Sequence, residues 1–174
     1  MGPMSEVTTD LLVDCFTRIR DYLGEVLDGL TGDQLAWRPD AKANSIGWLA
    51  WHLTRVEDDH IAGAAGSEQV WTAGGWFDRM ALPLPSHEIG YGHGPGEVAA
   101  VRVESPDLLR DYHEAVFERA VAYARGLEEA DFGRIVDESW DPPVTLAVRL
   151  VSIISDGLQH VGQAAYVRGL LERM

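Results

Sequence analysis

The stretch "SDGLQHVGQAAYVRGLL", Ser155 to Leu171, sets Asp156 and His160 four residues apart in an otherwise apolar run. Residues at i and i+4 stack on one face of a helix, which would stand a carboxylate beside an imidazole. His52, far away in the chain, offers a third group. Two histidines and one carboxylate are a recurrent ligand set for divalent zinc, nickel or iron, and they leave positions open for water or substrate. Asp59 shares the face of His52 one heptad later, so Asp59 and His60 stand as reserve ligands. Spacing alone also fits a solvated polar strip, because D-x-x-x-H recurs by chance.

Such a constellation needs elements to carry it, and four long helical patterns are present. Leu12, Phe16, Ile19, Leu23, Val26 or Leu27, and Leu30 recur at three- and four-residue steps and predict a first helix over about 8–30. Thr31-Gly32-Asp33-Gln34 has the form of a capping box, opening a short helical turn before Pro39. Asn44 or Ser45 can cap a second helix that runs to about Ala65. Trp48, Leu49 and Val56 flank His52 on it and turn the imidazole inward. Ser105-Pro106 is a helix start with proline at the first helical position, and the third helix continues to about Leu127. Thr145 caps the fourth, ending near Arg173. Strand signal is slight, and an all-α four-helix bundle is the natural way to bury four such stripes.

Helical projection of the fourth helix puts Leu150, Ile154, Leu158, Val161 and Ala165 in its main apolar stripe, with Asp156 and His160 roughly opposite. Their own face also carries Ile153, Val167 and Leu171. A helix apolar nearly all round is buried on two sides, which predicts a bundle core on one and a homodimer interface on the other.

Between Gly66 and Glu104 lies a long connection rich in Gly and Pro, holding Trp71, Trp76, His87, Tyr91 and His93. Long structureless connections are uncommon in compact domains and often functional, so this one reads as a lid or a wall facing substrate. Tyr91 and His93 are its candidate substrate contacts.

The 174 residues are enough for one domain, expected over 5–174, with Met1 to Met4 a disordered start or an appended remnant. A net charge of −14 argues against nucleic acid, which needs a basic face. The single cysteine, Cys15, excludes an internal disulfide and reads as a buried structural thiol. No apolar run approaches the roughly 20 residues of a membrane span and no signal peptide precedes the first helix, so a cytoplasmic location without membrane contact is expected. There is no phosphate-binding Gly-Lys motif.

"GLTGDQLAWRPDAKANSIGWLAWHL", residues 29–53, together with "ISDGLQHVGQAAYVRGLL", resembles the DinB-like superfamily (DUF664 in part) over nearly the whole chain. That superfamily includes mycothiol-dependent maleylpyruvate isomerase and the bacillithiol- and mycothiol-S-transferases. The resemblance implies a divalent metal, zinc or nickel, held by a histidine of the second helix and two ligands of the last. Those roles carry onto His52, Asp156 and His160. It implies further that a low-molecular-weight thiol is held as thiolate and attacks a small electrophile, conjugating or isomerising it. Gln163, one turn beyond His160, could orient that ligand. The arginine-heavy composition, with Lys42 the sole lysine, makes mycothiol the first thiol to consider. Metal-assisted hydrolysis through an activated water and a non-catalytic, stress-related metal-binding bundle are the alternatives.

Overall fold

The structure is a computed structural model that describes residues 5–174; the expectation for Met1 to Met4 lies outside the described residues. Eight helices follow in order: α1 (Glu6–Leu27), α2 (Gly32–Ala36), α3 (Ile46–Ala65), α4 (Val70–Ala73), α5 (Trp76–Met80), α6 (Pro95–Ala100), α7 (Pro106–Arg125) and α8 (Leu146–Leu171). A 3-10 turn (Glu129–Gly133) and a two-stranded antiparallel ribbon, β1 (Ile135–Asp137) with β2 (Val144–Thr145), join α7 to α8.

Local chemistry starts α3, α7 and α8 where the sequence said it would, while α1 starts at Glu6 under a Ser5 cap. Ser45 Oγ accepts from the Trp48 N–H at 3.1 Å, Ser105 Oγ from Asp107 N–H at 3.2 Å, and Thr145 Oγ1 from Val148 N–H at 3.3 Å. Thr31 and Gln34 exchange both bonds of a capping box around α2. Each cap satisfies a backbone donor that the first turn would otherwise leave bare.

The four long helices pack as a ring. α3 lies against α7 and α8, and α1 completes the ring against the same two, so α1 and α3 are diagonal. This is the all-α four-helix bundle expected. Its interior falls into two apolar clusters, one around Leu23, Leu49, Trp51, Tyr112 and Ala164, the other around Phe16, Ile61, Ala120, Leu146 and Ile153.

The last helix sits rotated from its expected pose. Its buried residues are Leu146, Leu150, Ile153, Gly157, Val161, Ala164 and Val167, while Leu158 is 40% exposed and Ala165 is exposed. Gly157 explains the rotation. A Cβ there would stand 2.8 Å from Ile19 Cδ1, so α8 crosses α1 at its glycine, which hydropathy alone counts as neutral. Ile153 and Val167, expected at a subunit interface, are in the chain's own core. Asp156 and His160 thereby come to the edge of the buried face.

The 66–104 connection is not a structureless lid. It folds into α4, α5 and α6 and sends Trp71, Trp76, Met80, Val98 and Val101 into the bundle core. Arg55, fully buried on α3, anchors it: Nε donates to Glu88 O at 3.1 Å, Nη1 to Gln69 Oε1 at 2.8 Å and Nη2 to Ser86 O at 3.4 Å. Asp58 lies 3.5 Å from the same guanidinium, and Trp71 stacks on it at 4.9 Å. A buried cation held by one carboxylate and several carbonyls is compensated; the same cation with either removed would not be. Cys15 is only half-buried on α1. No described helix is long and apolar enough to cross a membrane.

Candidate metal centre

α3 and α8 are neighbours, and the rotation of α8 turns Asp156 and His160 toward His52. One ligand atom from each of the three lies within 4.8 Å of the others. His160 Nε2 stands 3.4 Å from Asp156 Oδ1. The His52 and His160 rings meet edge to face at 4.8 Å.

Each imidazole is held by its outer nitrogen. His52 Nδ1 donates to the carbonyl of Ile89, and His160 Nδ1 donates to Gln163 Oε1 at 3.0 Å. Both rings therefore turn Nε2 inward, that of His160 toward Asp156 Oδ1, and with Nδ1 as the donor Nε2 is the nitrogen left for a metal. Asp156 Oδ2 is buried with no hydrogen-bond partner. An orphaned carboxylate oxygen beside two inward imidazole nitrogens is a donor set that fits a divalent cation. Burial lowers the pKa of His52, a shift that Ile89 and Asp156 only partly oppose. At His160 burial also works downward, but the bonds to Asp156 and Gln163 outweigh it and the net shift is upward.

The walls are apolar and aromatic. Trp48 stacks on His52 at 4.6 Å, and its Nε1 donates to His93 Nδ1 at 3.2 Å. His93 also bonds Glu88 Oε2 at 3.3 Å and lies along Trp51, with a side chain only 5% exposed. It props Trp48 from behind and does not reach the open side of the site. Tyr91 does, at 83% exposure.

Asp59 and His60 lie apart from the triad. Asp59 Oδ1 accepts from Gln69 Nε2 at 2.7 Å, its Oδ2 pairs with His60 Nδ1 at 3.1 Å, and His60 Nε2 faces Arg149 Nη1 at 3.0 Å. The His60 bond is the main reason that the Asp59 carboxyl sits below its usual range.

A cavity of about 350 Å3 opens from His52 and Asp156 toward His60, Arg149 and Trp140. Sequence reasoning missed Arg149 and Ser152 as lining residues, yet a spacing signal existed. Arg149 precedes Asp156 by two helical turns on the same face. Trp140, on the β1–β2 connection, carried no such signal. A larger apolar groove, about 530 Å3, runs between Pro39–Asn44 and the outer face of α8 and touches the triad only through Gln163. It holds no titratable pair, so the smaller cavity is where chemistry can occur.

Gly90 lets the Ile89 carbonyl reach His52. Its φ is +95°, and a Cβ there would lie 2.6 Å from His52 Nδ1 and 3.2 Å from Trp48 Cζ2. Gly90→Ala is expected to push this segment off the imidazole and weaken divalent-metal affinity by roughly 10–100-fold, the usual cost of losing a ligand's outer hydrogen bond. Chelator-competition titration measures it; an unchanged affinity would show that the Ile89 bond has no orienting role.

A family model described as mycothiol-S-transferase matches residues 11–173. The chain belongs to that family. A solved structure, that of a conserved protein from Enterococcus faecalis, superimposes with a TM-score of 0.89 at 33% identity, over 95% of this chain and 98% of that one. No curated protein matches. Membership in the mycothiol-S-transferase family bears out the DinB-like resemblance and the transferase class that it implied.

Proposed function

We infer that this chain transfers a low-molecular-weight thiol, mycothiol first among them, to a small electrophile, using a divalent metal held by His52, Asp156 and His160. The observation that carries the reading is the convergence of three donor atoms within 4.8 Å, two of them on residues, His52 and Asp156, that line a cavity, in a chain of the mycothiol-S-transferase family. A bound zinc or nickel ion would supply the charge that keeps a thiol sulfur deprotonated at neutral pH.

The chain's own residues do the rest. The Ile89 carbonyl and Gln163 fix the two imidazole tautomers, and Asp156 brings negative charge to the site. Trp48 closes the inner wall against water. The open side admits the thiol and, next to it, the electrophile, so that their reacting atoms meet within one enclosure.

Elemental analysis of the purified protein beside a triple His52→Ala, Asp156→Ala, His160→Ala variant tests the site. Roughly one equivalent of divalent metal is expected in the first, with none retained by the second. Equal contents would end the metal reading. Incubation with a chlorinated nitrobenzene and a thiol panel then tests transfer, where acceleration by one thiol is expected. Metal without turnover would point to a binding protein, and ester hydrolysis without thiol to a hydrolase.

A further inference from the structure

α8 carries two seams, and the bundle uses one of them. The inner seam, with Leu146, Leu150, Ile153, Gly157, Val161 and Ala164, is buried. The outer seam is Val148, Val151, Ser155, Leu158, Gly162 and Ala165, and every one of these residues is exposed. Its steps alternate strictly between three and four residues, the spacing that keeps a stripe facing a single partner helix over its whole length. Val148 is 53% exposed, Val151 66% and Leu158 40%, so three branched apolar side chains stand in water along it. Ile153 and Val167 are spent in the chain's own core, which leaves this stripe as the apolar surface that α8 offers to another molecule.

Charge says what can sit there. No residue that α8 exposes from Val148 to Tyr166 is charged. The exposed side of α1, by contrast, shows Asp10, Asp14, Asp21 and Glu25, and that of α7 shows Asp107, Asp111, Glu114 and Glu118. In a chain of net charge −14, two copies repel wherever such acidic faces meet. The α8 stripe is where they can touch without opposing like charges, and it offers a charged partner nothing to pair with. Shape adds an independent indication. The bulky Val148 and Val151 lie toward the start of the stripe, the small Gly162 and Ala165 toward its end. Antiparallel about a two-fold axis, Val148 meets Ala165 of the partner subunit, Val151 meets Gly162 of the partner subunit, and Ser155 meets Leu158 of the partner subunit. Each contact then sets a larger side chain against a smaller one, as close packing requires. A parallel pair would crowd the valines at one end and leave a gap at the other.

We propose that the outer stripe of α8 docks a second copy of this chain, antiparallel, in a two-fold dimer. The interface reaches the candidate site. Ser152 lies on the flank of α8 between the stripe and Asp156, and it lines the cavity with His52 and Asp156. In the antiparallel pair Gln159 of the partner subunit stands opposite Ser152, so the second copy closes that side of the cavity mouth. The proposal does not depend on the thiol-transfer reading.

Sedimentation equilibrium over a concentration series tests it. The full chain is expected to be dimeric at ~50 µM, a modest demand on a helix-pair interface, and a parent monomeric at that concentration would overturn the proposal. Added salt is expected to tighten the dimer severalfold, because it screens the acidic faces and leaves the neutral stripe untouched. A dimer that salt dissociates would be held by ion pairs elsewhere, which the proposal forbids. Leu158→Glu, at a half-exposed position, is expected to give a monomer with the parent's helical circular dichroism and metal content. A dimer that survives this change would place the interface on another face. Mixing Leu158→Glu with Ser155→Lys is expected to restore association, since the two new charges oppose each other only in the antiparallel pairing; a mixture that stays monomeric would rule that pairing out. Metal content is read separately from mass, so a failed dimer and a failed metal site are distinguishable.

Discussion

Exchanging Asp156 for asparagine is expected to lower divalent-metal affinity roughly a hundredfold or more and, in the same molecule, to raise the stability of the metal-free protein. The two effects have one cause. Asp156 Oδ2 is buried and bonded to nothing, and Oδ1 has only His160 Nε2, at 3.4 Å. Without a cation the Asp156 side chain, 30% exposed, keeps one oxygen withdrawn from water with nothing in return, which costs on the order of 1 kcal/mol. Asparagine keeps the shape, drops the charge and offers an N–H toward the inward imidazole nitrogens. With a cation present the balance reverses, because the amide is a neutral and weaker ligand for zinc or nickel. Metal titration and thermal unfolding in chelator, run side by side, read both signs. A variant that loses metal and also loses metal-free stability would mean that Asp156 is a structural residue; one unchanged in both would remove it from the site.

This trade of stability for binding accounts for what the sequence disclosed and what it did not. Helix starts were readable because a cap is a contract between residues three apart: Ser45 with Trp48, Thr31 with Gln34, Thr145 with Val148. The pairing of Asp156 with His160 was readable for the same reason, four residues apart on one helix. The rotation of α8 was not. It depends on Gly157 meeting Ile19, a contact between two helices that a hydropathy stripe cannot register. The 66–104 segment misled for a related reason. Its glycines and prolines announce turns, yet Trp71 and Trp76 are core residues fixed by Arg55 and Tyr112, which come from other helices. His93 was placed against substrate on residue type alone, and the structure spends it behind Trp48. Long-range partners decide each of these cases, and none leaves a local trace.

Glu57 extends the argument to a group well away from the caps and the candidate ligands. It is 2% exposed on α3, and its Oε1 has no partner. Burial, with Asp58 adding to it, pushes its pKa from 4.5 up to about 8. On the facing α7, burial lowers His113 to about 4; Thr54 Oγ1 gives its proton to Ala50 O at 2.8 Å and so accepts from His113 Nδ1 at 3.1 Å, leaving Nε2 bare. The signs follow from which state holds the proton more tightly. Folded Glu57 keeps its proton to higher pH than the unfolded chain does, so its contribution is full below pH 4.5 and is lost as pH rises to about 8. Folded His113 refuses a proton that the unfolded chain accepts, so its contribution is full above pH 6.5 and is lost as pH falls to about 4. Between pH 4.5 and 6.5 the two slopes oppose each other, and from 6.5 to 8 the Glu57 loss stands alone. Glu57→Gln is therefore expected to flatten the alkaline decline. Its unfolding free energy relative to the parent should rise between pH 6 and pH 9 by on the order of several kcal/mol, since each unit of pKa shift is worth about 1.4 kcal/mol. Any fixed cost of burying the amide is the same at both pH values and cancels in that difference. Denaturant unfolding of the metal-free proteins at the two pH values measures it, and parallel curves for parent and variant would mean that Glu57 is already ionised in the folded bundle at pH 6.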